Sequence, residues 1–178
     1  MQGAFRDHIP LLNRCGAESV VVTASSHLTD VDRIILPGGE STVMGKFIRE
    51  LDLLGHLRER LAAGMPAWGI CAGAILLAET VDGAPGLLQA LPIRVTRNAY
   101  GRQRESCWRP VRIAIFKEDA YPAIFIRAPR IETIAPQVTA HARVGQNPVF
   151  VQYGRIMATT FHPELNEDTL FHSRFLAI

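Results

Sequence analysis

The sequence predicts an α/β fold: a mostly parallel sheet with helices on both faces, extended by antiparallel strands in its second half. Three observations carry this reading. Short apolar runs at 19–23, 33–36 and 67–70 alternate with stretches of helical pattern, as parallel strands joined by crossover helices do. Residues 41–63 place Val43, Phe47, Leu51, Leu54, Leu57 and Leu61 on one stripe, the mark of an amphipathic helix. From Leu91 onward the runs become shorter and richer in proline, at 110–116, 123–126 and 148–153, which suits added antiparallel strands.

Taken in chain order, a first helix is expected over 4–15, where Pro10 removes one hydrogen bond and should bend or shorten the element. The strand at 67–70 passes directly into an apolar helix at 74–78. A strand-like run at 155–160 precedes Phe161, and a last helix is expected over 167–176. With 178 residues, 48% of them apolar, the chain can bury one substantial core. It has no repeat and no Ser/Gly linker, so a single domain over 1–178 is the economical expectation.

Charge and cysteine usage exclude more than they suggest. The net charge of +2 and the dispersed basic residues, apart from arginines between Arg94 and Arg112, give no case for nucleic acid. Cys15, Cys71 and Cys107 are widely spaced and odd in number, which argues against a disulfide framework or a metal site. No apolar stretch approaches the roughly 20 residues that span a bilayer, and no leader pattern is evident, so no membrane is expected and the cytoplasm is the default location.

The chemistry concentrates at Gly69-Ile70-Cys71-Ala72-Gly73, between a strand and a helix. Glycines there permit a sharp strand-to-helix turn that lifts the cysteine into reach of a substrate. A thiol at a helix N-terminus feels the partial positive charge of unpaired amides, which favours the thiolate. Glycine costs roughly 1 kcal/mol in a regular element, so two beside one thiol suggest geometry rather than packing. A base is offered by Phe161-His162-Pro163-Glu164: in extended chain, residues two apart share a side, so Glu164 can orient His162. His8, His27, His56, His141 and His172 lack such a setting and read as surface or core residues. Leu36-Pro37-Gly38-Gly39-Glu40-Ser41-Thr42 reads as half an oxyanion hole, with Ser41 or Thr42 as helix N-cap. Gly39 to Lys46 imitates a phosphate-binding loop, but its spacing is wrong and Phe47 replaces the required hydroxyl.

These stretches, with Gln2-Gly3-Ala4, Arg6 and His8, R-N-A-Y-G-R-Q at 97–103, F-I-R-A-P at 125–129 and F-H-P-E-L at 161–165, resemble a known family. The chain is similar to the glutaminase subunits of two-component pyridoxal 5'-phosphate synthases, within the class I glutamine amidotransferases. The elbow and F-H-P-E occur across the class, whereas R-N-x-x-G-R-Q and F-I-R-A-P point to the vitamin B6 branch. The resemblance implies a flavodoxin-like three-layer sandwich whose first strand is missing here. It implies Cys71 as nucleophile, His162 as base and acid, and Glu164 as its orienting residue. It implies an oxyanion hole from the amides of Gly39 and Ala72, and an L-glutamine site lined by Gly39, Glu40, Ser41, Arg97, Ile126 and Arg127. No cofactor or metal is implied, and the partner would be a pyridoxal 5'-phosphate synthase subunit in a large hetero-oligomer. A non-catalytic or poorly folded remnant, or a glutaminase serving another pathway, are the alternatives.

Overall fold

Backbone pairing explains where each strand sits. In the computed structural model, which describes residues 3–97 and 107–178, β1 (Ile34–Leu36), β2 (Ala67–Ile70) and β11 (Ile156–Thr159) pair in parallel. Two antiparallel strands, β10 (Asn147–Tyr153) and β9 (Thr139–Val144), extend the sheet to the order β1-β2-β11-β10-β9. A second sheet joins β4 (Ala84–Pro85), β3 (Ala78–Val81), β5 (Leu91–Thr96) and β8 (Arg130–Ile134). A hairpin joins β6 (Cys107–Ile113) to β7 (Glu118–Phe125). The α/β class with added antiparallel strands is therefore observed.

Alternation along the central strands divides the interior into two cores. Ile34, Leu36, Ala67, Ile156 and Ala158 face one side, and Trp68, Ile70 and Met157 face the other. The first core is covered by α2 (Ser41–Glu50), α3 (Leu54–Ala62) and α4 (Ala72–Leu77). The second is closed by α5 (Leu170–Leu176), which contributes Phe171 and Phe175, and by α1 (Phe5–Arg14), whose His8 packs on Trp68. Each fully buried large side chain contributes about 1.5–3 kcal/mol relative to exposure.

Four expectations change. The single helix over 41–63 is two helices. After α2, Asp52 adopts φ 52° and the amides of Asp52 and Leu53 donate to Arg49 O (3.1 Å) and Ile48 O (2.9 Å). This is a Schellman stop, sealed by the buried pair Ile48 and Leu53; α2 itself buries Met44, Gly45 and Ile48 and exposes Val43, so the expected stripe holds only from Leu51 onward. The apolar run at 19–23 joins no sheet among the described residues. The first helix, α1, runs from Phe5 to Arg14 rather than over 4–15, with Pro10 inside it. The last helix starts at Leu170 rather than at 167, its first amide accepted by Asp168 Oδ1 at 2.9 Å.

Candidate active site

The parallel half of the sheet brings the expected groups together. Ile70 and Thr159 are register partners at the C-terminal ends of β2 and β11, so Cys71 follows one strand and His162 the other by three residues. Ligands of open α/β sheets bind at these strand ends. The amide of Cys71 donates to Thr159 O at 2.8 Å, which fastens the elbow to β11.

The elbow is strained as its sequence demands. Cys71 holds φ 49° and ψ −98°, a conformation that costs a non-glycine residue of order 1–3 kcal/mol. Its glycines are required by close approach. A Cβ on Gly69 would stand 2.6 Å from Gly73 O, and one on Gly73 would stand 1.9 Å from Leu36 O. Cys71 is 7% exposed, and its Sγ lies 3.7 Å from the carbonyl oxygen of Ile126. The next residue, Arg127, has φ 43°, so two strained residues border the thiol from opposite segments.

His162 is buried and doubly anchored. Its amide donates to Ile124 O at 2.9 Å, and its Nδ1 lies 2.7 Å from Glu164 Oε1. The sequence pairs these two residues correctly, but for a different reason: Pro163–Leu165 is a 3-10 turn, and the turn rather than an extended strand folds the carboxylate back. Burial opposes the imidazolium charge, but the neighbouring Cys71 and Glu164 outweigh it and raise the His162 pKa to about 10. Nε2 is buried and makes no hydrogen bond among the described residues.

Gly38 is a site residue that the sequence did not single out. A Cβ there would stand 2.5 Å from His162 Cε1, so the glycine makes room for the ring. The run of two glycines was the available signal. Gly39 adopts φ 155°, where side chains are strained, and a Cβ would press on Gly3 Cα and Met44 Sδ at 3.2 Å. The amide of Ala4 donates to Gly38 O at 3.0 Å, tying the start of α1 to this loop.

The remaining expected residues surround the same loop. Glu40, not Ser41 or Thr42, caps α2: its carboxylate accepts from Thr42 N (3.0 Å) and Val43 N (2.7 Å). Those two amides hold its pKa below the ordinary value. Ser41 opens the helix. Arg97 is held by Asp82 through its amide (2.9 Å) and Nε (2.6 Å), and its Nη1 reaches Thr42 Oγ1 at 3.4 Å. It therefore stands beside the start of α2. Ala72 is the first residue of α4, where a helical amide has no intrahelical acceptor. The rest of R-N-A-Y-G-R-Q, residues 98–103, lies outside the described residues. Among the described residues no cluster has the makings of a metal site, and no helix is long and apolar enough to cross a membrane.

Sequence reasoning also passed over a buried pair. His8 Nδ1 lies 2.9 Å from His172 Nε2, and both rings pack edge-on against Trp68 of β2. Burial lowers the pKa of His8 to about 3, helped by His172 and His162, and lowers that of His172 to about 4. Their separation of 164 residues leaves no local signal.

Comparison with known proteins finds matches over nearly the whole chain. The profile of the SNO glutamine amidotransferase family matches residues 1–177. The pyridoxal 5'-phosphate synthase subunit PdxT of Dictyoglomus turgidum is 44% identical over 178 residues, covering 99% of this chain and 94% of that protein. The protein of the same name from Mycobacterium tuberculosis is 44% identical, covering 100% and 92%. A crystal structure described as a glutamine amidotransferase superposes with TM-score 0.91 at 40% identity, covering 99% of this chain and 94% of that one. PurLQS from Thermotoga maritima shares the fold, with TM-score 0.73 at 18% identity over 97% and 91%.

Proposed function

From the premise that the chain belongs to the SNO glutamine amidotransferase family, we propose that it is a one-domain glutaminase whose ammonia feeds a pyridoxal 5'-phosphate synthase. Relatives at 44% identity over almost the whole chain support the pathway, since they are named as subunits of that synthase. They weigh against both a remnant and another pathway. The observation that carries the chemistry is the buried His162–Glu164 contact of 2.7 Å beside a strained cysteine elbow.

The proposed reaction runs in two halves. With the Cys71 proton held on His162 Nε2, the sulfur attacks the side-chain amide carbon of glutamine. The oxyanion so formed is held by the amides of Gly39 and Ala72. As the tetrahedral species collapses, the C–N bond breaks and His162 protonates the departing nitrogen, which leaves as ammonia. A thioester on Cys71 remains. Water, deprotonated by His162, then attacks it, and the C–S bond breaks to give glutamate and the free thiol. Glu164 keeps the imidazole oriented and supports its charge throughout.

Gly39, Glu40, Ser41, Arg97, Ile126 and Arg127 line the glutamine site in this reading. Arg97 suits the substrate carboxylate, because Asp82 fixes its guanidinium through Nε and leaves both Nη nitrogens free of that carboxylate. The reaction calls on no cofactor. Ammonia passes to the synthase subunit within a hetero-oligomer, and we place the complex in the cytoplasm. The test is glutamate release measured with a synthase subunit present. Cys71→Ala abolishes it with the fold retained, and His162→Asn lowers it at least about a hundredfold. Unchanged turnover in either variant contradicts the reading.

A further inference from the structure

Besides His162 Nε2, which the proposed reaction uses, and Arg174 Nε, the described residues hold three buried polar atoms without a hydrogen-bond partner. They are His8 Nε2, His172 Nδ1 and Glu164 Oε2. The three side chains belong to residues only 3%, 1% and 4% exposed, so bulk solvent serves none of them. Folded proteins leave few such atoms unpaired.

The fold carries His8 toward the catalytic pair. Helix α1 packs against the 3-10 turn that holds Glu164, and the His8 ring stands edge-on to Trp68 with centroids 5.6 Å apart. His162 is near enough to help lower the His8 pKa to about 3, because two cations would repel. Glu164 meets His162 Nδ1 through Oε1, at 2.7 Å, which leaves Oε2 without a donor. A buried carboxylate oxygen in that state is costly. The two outer histidines share one hydrogen bond, between His8 Nδ1 and His172 Nε2 at 2.9 Å. Both are neutral at neutral pH, so one proton lies between them and one outer nitrogen carries the other. When His172 is the donor, that outer proton is on His8 Nε2.

We propose that His8 is a positioning residue for the catalytic pair: His172 Nε2–H donates to His8 Nδ1, and His8 Nε2–H serves Glu164 Oε2 through one buried water. Water is the link because the two atoms make no direct hydrogen bond. A chain of polar contacts then runs from α5 through α1 to the reacting ring, and its donor keeps Glu164 ionised and aimed at Nδ1. The neighbouring groups have other tasks. Tyr121 of β7 interacts with Glu164, but its hydroxyl accepts from Asn166 Nδ2 at 2.8 Å and is engaged by Asp168. Cys71 acts on His162 itself, and Arg6 and Asp7 of α1 are exposed. Only the kinetic consequence rests on the glutaminase reading.

The first test needs no variant and no substrate. In the intact chain, isotope-labelled on its histidine ring nitrogens, magnetic resonance should show His8 protonated at Nε2 and bare at Nδ1, with a slowly exchanging ring proton. His8 protonated at Nδ1 overturns the proposal. The second test is the pH profile of kcat/KM for glutamate release with a synthase subunit present. His8→Phe keeps a ring against Trp68 but removes the donor, so Glu164 takes a proton more readily and the acid limb moves up by at least about one unit. His8→Gln places an amide N–H near the position of Nε2 and brings the limb back toward that of the parent chain. A limb unmoved in His8→Phe, or moved as far in His8→Gln, overturns the proposal, since lost packing alone lowers Tm without shifting a titration. Absence of glutamate release from the parent chain would count against the glutaminase reading, and the tautomer would still decide this one.

Discussion

Glu164 is where the charge of the site is decided. Its side chain is fully enclosed, and one oxygen rests against His162 Nδ1. Together with Cys71 it holds the imidazolium to about pH 10, above the ordinary 6.5. Removing the carboxylate charge disfavours the protonated ring, so the pKa falls. Glu164→Gln should therefore move the alkaline limb of the kcat/KM profile to lower pH by more than about one unit, the scale of an opposite charge at hydrogen-bond distance. An alkaline limb that stays in place would mean that another group carries the proton. At this scale the legible residues were those with a local signature: glycines around Cys71, and a carboxylate two positions from His162. Gly38 and the His8–His172 pair act through proximity made only by folding: a Cβ at 38 would stand 2.5 Å from His162, and the pair spans 164 residues.

Periodicity located the elements, and turn chemistry decided where they stop. The expected stripe holds only from Leu51 to Leu61, because α2 buries Met44, Gly45 and Ile48 and exposes Val43, while the Schellman stop keeps Ile48 and Leu53 in the same core. Asp tolerates the left-handed conformation, so nothing in its identity announced the break. Glycine pays no steric penalty there, and Asp52 is exposed. Asp52→Gly should raise stability by about 0.5–1 kcal/mol, read as a higher midpoint in urea unfolding. A lower midpoint would show that the carboxylate matters more than the backbone strain. The run at 19–23 shows the opposite limit: its pattern suits a strand, yet it joins no sheet among the described residues. Likewise the 3-10 turn at Pro163 delivers Glu164 to His162 by a route that the extended reading did not foresee.

Across the whole molecule, three histidines set opposing slopes of stability with pH. His8 and His172 have folded pKa values of about 3 and about 4, below the 6.5 of the unfolded chain. The unfolded state binds more protons in that interval, so their contribution is lost as pH falls below 6.5. His162 has a raised value of about 10, so its contribution is complete below 6.5 and is lost as pH rises toward 10. The carboxylates of Glu40 and Asp82, held below 4.5 and 3.8, act only at still lower pH. Tm should therefore peak near pH 6.5, and His8→Gln should flatten the acid side. A Tm that climbs steadily from pH 6.5 to 9 would contradict this.

The fold class was legible because apolar strands and helical stripes alternate in the chain itself. The pairing of β2 with β11 was not, since it depends on which strands meet. Both facts serve one claim, that Cys71 is presented at the end of β2 as a nucleophile for glutamine. The most direct measurement is mass spectrometry of the protein after treatment with a diazoketone analogue of glutamine. One adduct on Cys71, suppressed by excess glutamine and much slower in His162→Asn, is the predicted result. Modification confined to Cys15 or Cys107, or no adduct at all, would contradict the account.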